Sequence, residues 1–200
     1  MEDRSPRPGE RIRSSNLVET LMDHLEPLRK RVLGSPLAEE AISWKRKCVV
    51  SAGGLTEIGF ADDSDLLLVV SSTGRSVIDC LTGERVARDR AEPDDEWYDE
   101  RRLRATGIGP LAEKTIRLCG LHGGGLPNSG NGNYWIEAIP IHWPEWHVVL
   151  GGPSGWIYDG KTPITKLAIE RELRAFGFSD TGNSLVIATS SDVTVYNWTE

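Results

Sequence analysis

The chain has no long apolar run. Its longest is Leu66–Val70, far short of the ~18 residues a membrane-spanning helix requires, so no membrane partner is expected. Cysteine is scarce: Cys48, Cys80 and Cys119 are an odd number with no close pairing. That is not a disulfide framework, and it points to a reducing, cytoplasmic compartment. Positive charge is outnumbered. The 23 Lys and Arg face 30 Asp and Glu, a formal net charge of −7. Such a balance suits neither nucleic acid nor an anionic membrane, and it suits a basic protein partner. Mild acidity also serves plain solubility. The opening MEDRSPRPGERIRSS lacks the apolar stretch of a signal peptide.

Turn formers and tryptophan are plentiful: 21 Gly, 11 Pro and 7 Trp in 200 residues. Many turns and a modest apolar supply imply short strands rather than long helices. Residues 1–14, rich in Arg, Pro and Ser, read as a disordered lead-in. Residues 15–46 read as a helical segment. Leu17, Leu21, Leu25, Leu28 and Val32 form one stripe, predicting a helix from Asn16 to Leu33, capped by Ser14, Ser15 or Asn16 and stopped by Gly34 and Pro36. Leu37, Ala41, Ile42 and Trp44 predict a second, short helix from Pro36 to Lys45. Both helices serve either to pack on sheets or to present a partner-binding face. Residues 47–200 read as a β domain, because short apolar runs alternate there with Gly, Asp, Asn and Ser clusters.

That β domain contains a repeat. Leu55–Cys80 aligns with Leu173–Trp198 without a gap, at an offset of 118 residues. Gly59-Phe60 meets Gly177-Phe178, Asp62 meets Asp180, Leu67 meets Leu185, Ser72 meets Ser190 and Val77 meets Val195. A fainter copy starts at Leu103–Ile108 and continues in a strand Thr115–Cys119. A fourth spans His147–Asp159, with Val148–Leu150 and Trp156–Asp159 as its strands. One hairpin set cannot bury its own apolar faces, so such units must stack.

The unit from Gly59 to Glu84 carries an Asp-rich turn at Asp62–Asp65, then Ser72-Thr73-Gly74, then a strand ending in Asp79 and the turn Thr82-Gly83-Glu84. It resembles a blade of the WD-type or quinoprotein-type β-propellers. The resemblance covers 55–84 and 173–198. No Gly-His dipeptide opens the units, and only Asn197-Trp198 approaches the Trp-Asp ending. It implies a mainly β fold, a small or partial propeller-like arrangement of antiparallel sheets behind an N-terminal α-helical segment. A half-open arc and a β-sandwich are the alternatives. Propellers present loops to partners, which implies a binding role, and a bacterial immunity-type protein neutralising a basic toxin fits the size and charge.

Three groups of residues are candidate sites. Glu92–Glu100 holds six carboxylates and two aromatics. Asp94, Asp95 and Glu96 would steer a basic partner, with Trp97 or Tyr98 as anchor. Alternatively the loop is solvated and neutralised by Arg101, Arg102 and Arg104. Trp143 and Trp146, with Trp135, Trp156, Pro140 and Pro144, either line a binding face or fill space between sheets. Cys119, His122, His142 and His147 are four potential zinc ligands, which would suit a metal-dependent hydrolase. No CxxC supports them, and loop histidines beside a strand cysteine are commoner. His122-Gly123-Gly124-Gly125 has no accompanying Gly-x-Ser-x-Gly elbow, so esterase chemistry is not expected. Neither a catalytic role, a cofactor nor a metal is expected; a structural adaptor subunit is a further alternative.

Overall fold

The structure is a computed structural model that describes residues 25–94, 96–153 and 155–200. A helix, α1 (Glu26–Gly34), comes first. The part of the expected helix before residue 25, and its proposed caps, lie outside the described residues. The second helix expected at 36–45 is absent. Instead Ala38 N–H bonds Lys166 O, Ala41 pairs with Trp44, and strand β1 (Trp44–Ser51) has already begun. The cause is tertiary. Trp44 is fully buried, with ring centroids 5.1 Å from Phe178 and 5.5 Å from Trp198, and that packing outweighs local helix preference. Ile42, predicted on the apolar side of the helix, is left 90% exposed.

Four antiparallel sheets follow. The first is a meander of β2 (Leu55–Phe60), β3 (Leu66–Ser71), β4 (Gly74–Asp79) and β5 (Glu84–Asp89). The second holds β6 (Tyr98–Asp99), β7 (Arg104–Thr106) and β8 (Thr115–Arg117). β9 (Cys119–Gly120) then crosses back to pair with β2, so the single strand expected at Thr115–Cys119 is shared between two sheets. The third sheet is β10 (Trp135–His142), β11 (Glu145–Gly151) and β12 (Ile164–Glu170), in that order. The fourth is β13 (Leu173–Phe178), β14 (Ser184–Thr189) and β15 (Asp192–Trp198), completed by β1 beside β15. The strand expected at Trp156–Asp159 is not formed. Ile157–Asp159 is a 3-10 turn, because the Asp159 carboxylate accepts the N–H groups of Lys161 (2.7 Å) and Thr162 (2.9 Å) and curls the chain.

The two aligned units share one hydrogen-bonding register. Glu57 pairs with Val70, Ile58 with Val69, Gly59 with Leu68 and Phe60 with Leu67. At the same offset Ala175 pairs with Ala188, Phe176 with Ile187, Gly177 with Val186 and Phe178 with Leu185. The second hairpins match too: Leu68–Val77 and Val69–Ser76 correspond to Val186–Val195 and Ile187–Thr194. Even the irregularity after Leu55 recurs after Leu173.

Packing runs second sheet, first, fourth, third, then α1. On β3, Leu68 and Val70 join Trp97, Ala105, Leu111 and Ile116 of the second sheet's region. Leu67 and Val69, on the opposite face, join Val186, Ala188, Val193 and Val195 of the fourth. On β14, Leu185 and Ile187 turn instead to Val148 and Leu150 of the third. Strands buried on both faces read as continuous apolar runs, which explains Leu66–Val70. α1 covers the far side of the third sheet, where Val32 and Leu28 meet Val149, Ile141 and Ile157. Arg31 ties it down by bonding Ile157 O (2.7 Å) and Thr162 O. Among the described residues, no buried apolar cluster joins the second sheet to the third, so the four sheets form a partial, propeller-like arc.

The inner strands β2 and β13 each carry a glycine where another chain segment crosses. A Cβ on Gly59 would collide with Arg117 O, and one on Gly177 would lie 2.5 Å from Leu126 Cβ and 2.7 Å from Pro127 O. Gly59→Ala and Gly177→Ala are each expected to cost about 3 kcal/mol in urea unfolding. Gly53→Ala, which meets nothing within 4 Å, should stay within about 0.5 kcal/mol of wild type. Equal effects at all three positions would contradict the close approach.

Candidate functional site

Local hydrogen bonds shape the acidic stretch. Asp94 O accepts the N–H of Tyr98 (3.0 Å) and its carboxylate accepts that of Glu96 (3.1 Å), closing a turn. β6 then pairs Tyr98 with Ala105 and Asp99 with Arg104. Asp99 caps the next turn through Arg102 N–H (3.0 Å) and the Arg102 guanidinium (2.8 Å). Those bonds hold the Asp99 carboxyl below its ordinary range.

Trp97 is not displayed by this turn. It is buried against Leu68 and Val70, and the Arg75 guanidinium lies 4.4 Å from its ring centroid. Arg75 is itself fixed by Asp89 (3.2 Å) and Thr106 O (2.5 Å). The ring expected to anchor a partner therefore anchors its own loop. Asp94 and Glu96 are exposed, Tyr98 is half-buried, and Asp95 lies outside the described residues. A cleft of about 810 Å³ opens here, lined by Pro93, Asp94, Tyr98, Asp99, Glu100 and Arg101.

Beside this cleft lies a group centred on Glu57, a residue that sequence reading missed. β9 runs beside β2, and Leu121 N–H bonds Thr56 O (2.9 Å), which delivers His122 above Glu57. His122 Nδ1 is 2.5 Å from Glu57 Oε1, and its Nε2 is 3.5 Å from Glu100 Oε1. The Tyr98 hydroxyl is 3.4 Å from the same Nδ1. The Glu57 side chain is fully buried, whereas that of His122 is 36% exposed. Glu57 Oε2 has no hydrogen-bond partner among the described residues. Burial, then the Glu57 charge and a hydrogen bond to its carboxylate, then the Glu100 charge, push the Tyr98 hydroxyl well above its ordinary range, so it remains a neutral donor. The sequence did hold a signal. In the aligned units Glu57 stands opposite Ala175, a carboxylate where the twin has a small core residue.

The other candidates lie elsewhere. Trp143 and Trp146 sit at the β10–β11 turn, on a different sheet from the acidic cleft. Their rings are 6.3 Å apart, and Trp143 is 79% exposed. Cys119 and His122 belong to the first sheet's edge and its loop, His142 and His147 to the third sheet. No three His, Cys, Asp or Glu among the described residues form a metal-holding group, so the four potential zinc ligands of the alternative reading are not brought together. Cys119 packs in the core with Ile58, and burial pushes its thiol up to about 12, far from the thiolate a metal would need. His147 is buried, and burial with the nearby Lys166 charge lowers its pKa.

No family model matches the chain, and no curated protein matches it.

Removing His122 strips the buried Glu57 carboxylate of its hydrogen bond at Oε1. His122→Ala is expected to cost about 2 kcal/mol in denaturant unfolding, less than for a wholly buried pair because the imidazole is partly solvated. Adding Glu57→Ala should recover most of that loss, as a double-mutant cycle would show. Strictly additive effects would contradict the coupling. Trp97→Ala should cost about 4 kcal/mol, while Trp143→Ala should change stability by less than about 0.5 kcal/mol.

Proposed function

We propose that the protein is a non-catalytic binding module that receives a basic protein partner at the cleft of residues 93–101. The observation that carries this reading is the convergence of Asp94, Asp99 and Glu100 with Tyr98 around one opening of about 810 Å³, on a chain of net charge −7. Carboxylates on one rim raise the local concentration of a cationic surface and speed its docking. A half-buried tyrosine supplies flat apolar area at low entropic cost. The core-bound Trp97 beneath fixes the loop in advance, so little ordering is needed on binding.

Within this class we favour an immunity-type protein that neutralises a basic toxin in the cytoplasm. The WD-type or quinoprotein-type propeller reading belongs to the same proposal. The shared register of the two aligned units supports it, and such arcs leave their turns free for recognition. Trp143 and Trp146 offer a second, apolar contact area.

The test is affinity capture from the native cells at low salt, with the partner identified by mass spectrometry. A partner of strongly basic pI is expected, with an association rate that falls steeply as salt rises. The combined Asp94→Asn, Glu96→Gln, Glu100→Gln variant should slow association about tenfold or more. An acidic partner, or a basic one whose binding ignores both salt and the triple variant, would overturn the proposal.

A further inference from the structure

Glu57 is not required by the fold that surrounds it. At the same register position of the twin unit stands Ala175, packed in the core shared by the two units. The strand pairing, the bulge and the neighbouring apolar contacts are all made there without a carboxylate. Burying a charged group is unfavourable unless each of its hydrogen-bonding positions is met. At Glu57 Oε1 is met by His122, with the Tyr98 hydroxyl beside the pair, while Oε2 is unpartnered among the described residues and the side chain is fully buried. A carboxylate kept at that cost, half-satisfied, under an acidic cleft, is suited to a cation that arrives from outside.

The path to it is short. Tyr98 and Glu100 line the cleft, both lie beside His122, and His122 bonds Glu57. His122 sits in a turn closed by Gly120 N–H to Gly123 O (2.8 Å) and Gly123 N–H to Gly120 O (3.1 Å), and its partly exposed side chain can leave Glu57 by rotation with that turn intact.

We propose that Glu57 is the buried anchor for an arginine side chain of the basic partner. The guanidinium enters between Tyr98 and Glu100, displaces His122, and donates two parallel N–H bonds to both Glu57 oxygens. An imidazole offers one donor to that carboxylate, and a lysine ammonium is a strongly hydrated point charge. The planar fork of arginine matches both oxygens and stacks on an aromatic face such as Tyr98. This inference rests on the basic-partner reading and names the group that reading would recognise.

The test titrates the full chain with the peptide Ac-Gly-Arg-Gly-amide and its lysine and citrulline counterparts, following the His122 imidazole signals by NMR. The arginine peptide is expected to bind about tenfold more tightly than the lysine peptide, with citrulline weakest, and to shift the His122 signals in step with occupancy. Glu57→Ala, which copies the twin unit, should fold and lose the arginine preference. Should it fail to fold, Glu57→Gln keeps the side-chain volume and should show the same loss. Asp94→Asn with Glu100→Gln should weaken both cationic peptides alike. Equal binding of the arginine and lysine peptides, unchanged by Glu57→Ala or Glu57→Gln, overturns the anchor and leaves the basic-partner reading standing. Failure of wild type to bind either cationic peptide, or binding indifferent to Asp94 and Glu100, overturns that reading and the anchor together.

Discussion

Burial of β3 and β14 on both faces is the constraint on which the rest of this molecule depends. Each strand is sandwiched between its own sheet's two neighbours, β3 between the second and fourth sheets and β14 between the first and third. A three-strand meander with one wet face would be marginal alone. Here each central meander is covered twice, and the outer sheets are the smaller or helix-covered ones. Pairing β1 with β15 ties the start of the described chain to its end, so the fourth sheet cannot form until both are made. That long-range closure is expected to make folding slow and cooperative.

Against this frame the two aligned units serve as internal controls for one another. Where they agree, the residue answers to the fold: Gly59 and Gly177 make room for a crossing segment, and Val77 and Val195 fill equivalent core positions. Where they differ, the residue serves a use particular to its own unit. Asp65, whose counterpart is Asn183, binds Ser179 (2.7 Å) and Thr181 (2.8 Å) across the interface between the two sheets, which is a structural use. Glu57, opposite Ala175, bonds His122 instead. The carboxylate draws His122 and, through it, Tyr98 and Glu100 into one constellation under the acidic turn.

Much of the β domain was legible in the sequence for a physical reason. Register is set by side-chain alternation and turn chemistry, so two stretches whose apolar and turn positions align without a gap pair alike. The fourth faint copy keeps its first strand, Val148–Leu150 within β11, and loses its second because Asp159 captures local N–H groups, a competition that apolar patterning does not reveal. The short helix failed because Trp44 is claimed by Phe178 and Trp198, which lie far along the chain. Trp97 looked like a surface residue amid carboxylates, and only the distant Arg75 and Leu68 show it to be core. The Glu57–His122 pair spans 65 residues. No local pattern announces such a pair, although the mismatch with Ala175 marks one half of it.

Native-state hydrogen exchange across the chain examines the shared burial of β3 and β14 most directly. The amides of both strands should be the slowest in the molecule and should open with the same free energy, since neither can lose its partner sheet without exposing the other. If the amides of β3 exchanged through an opening that left β14 protected, or the reverse, the two units would be separate folding bodies, and the account of an interdependent arc would be wrong.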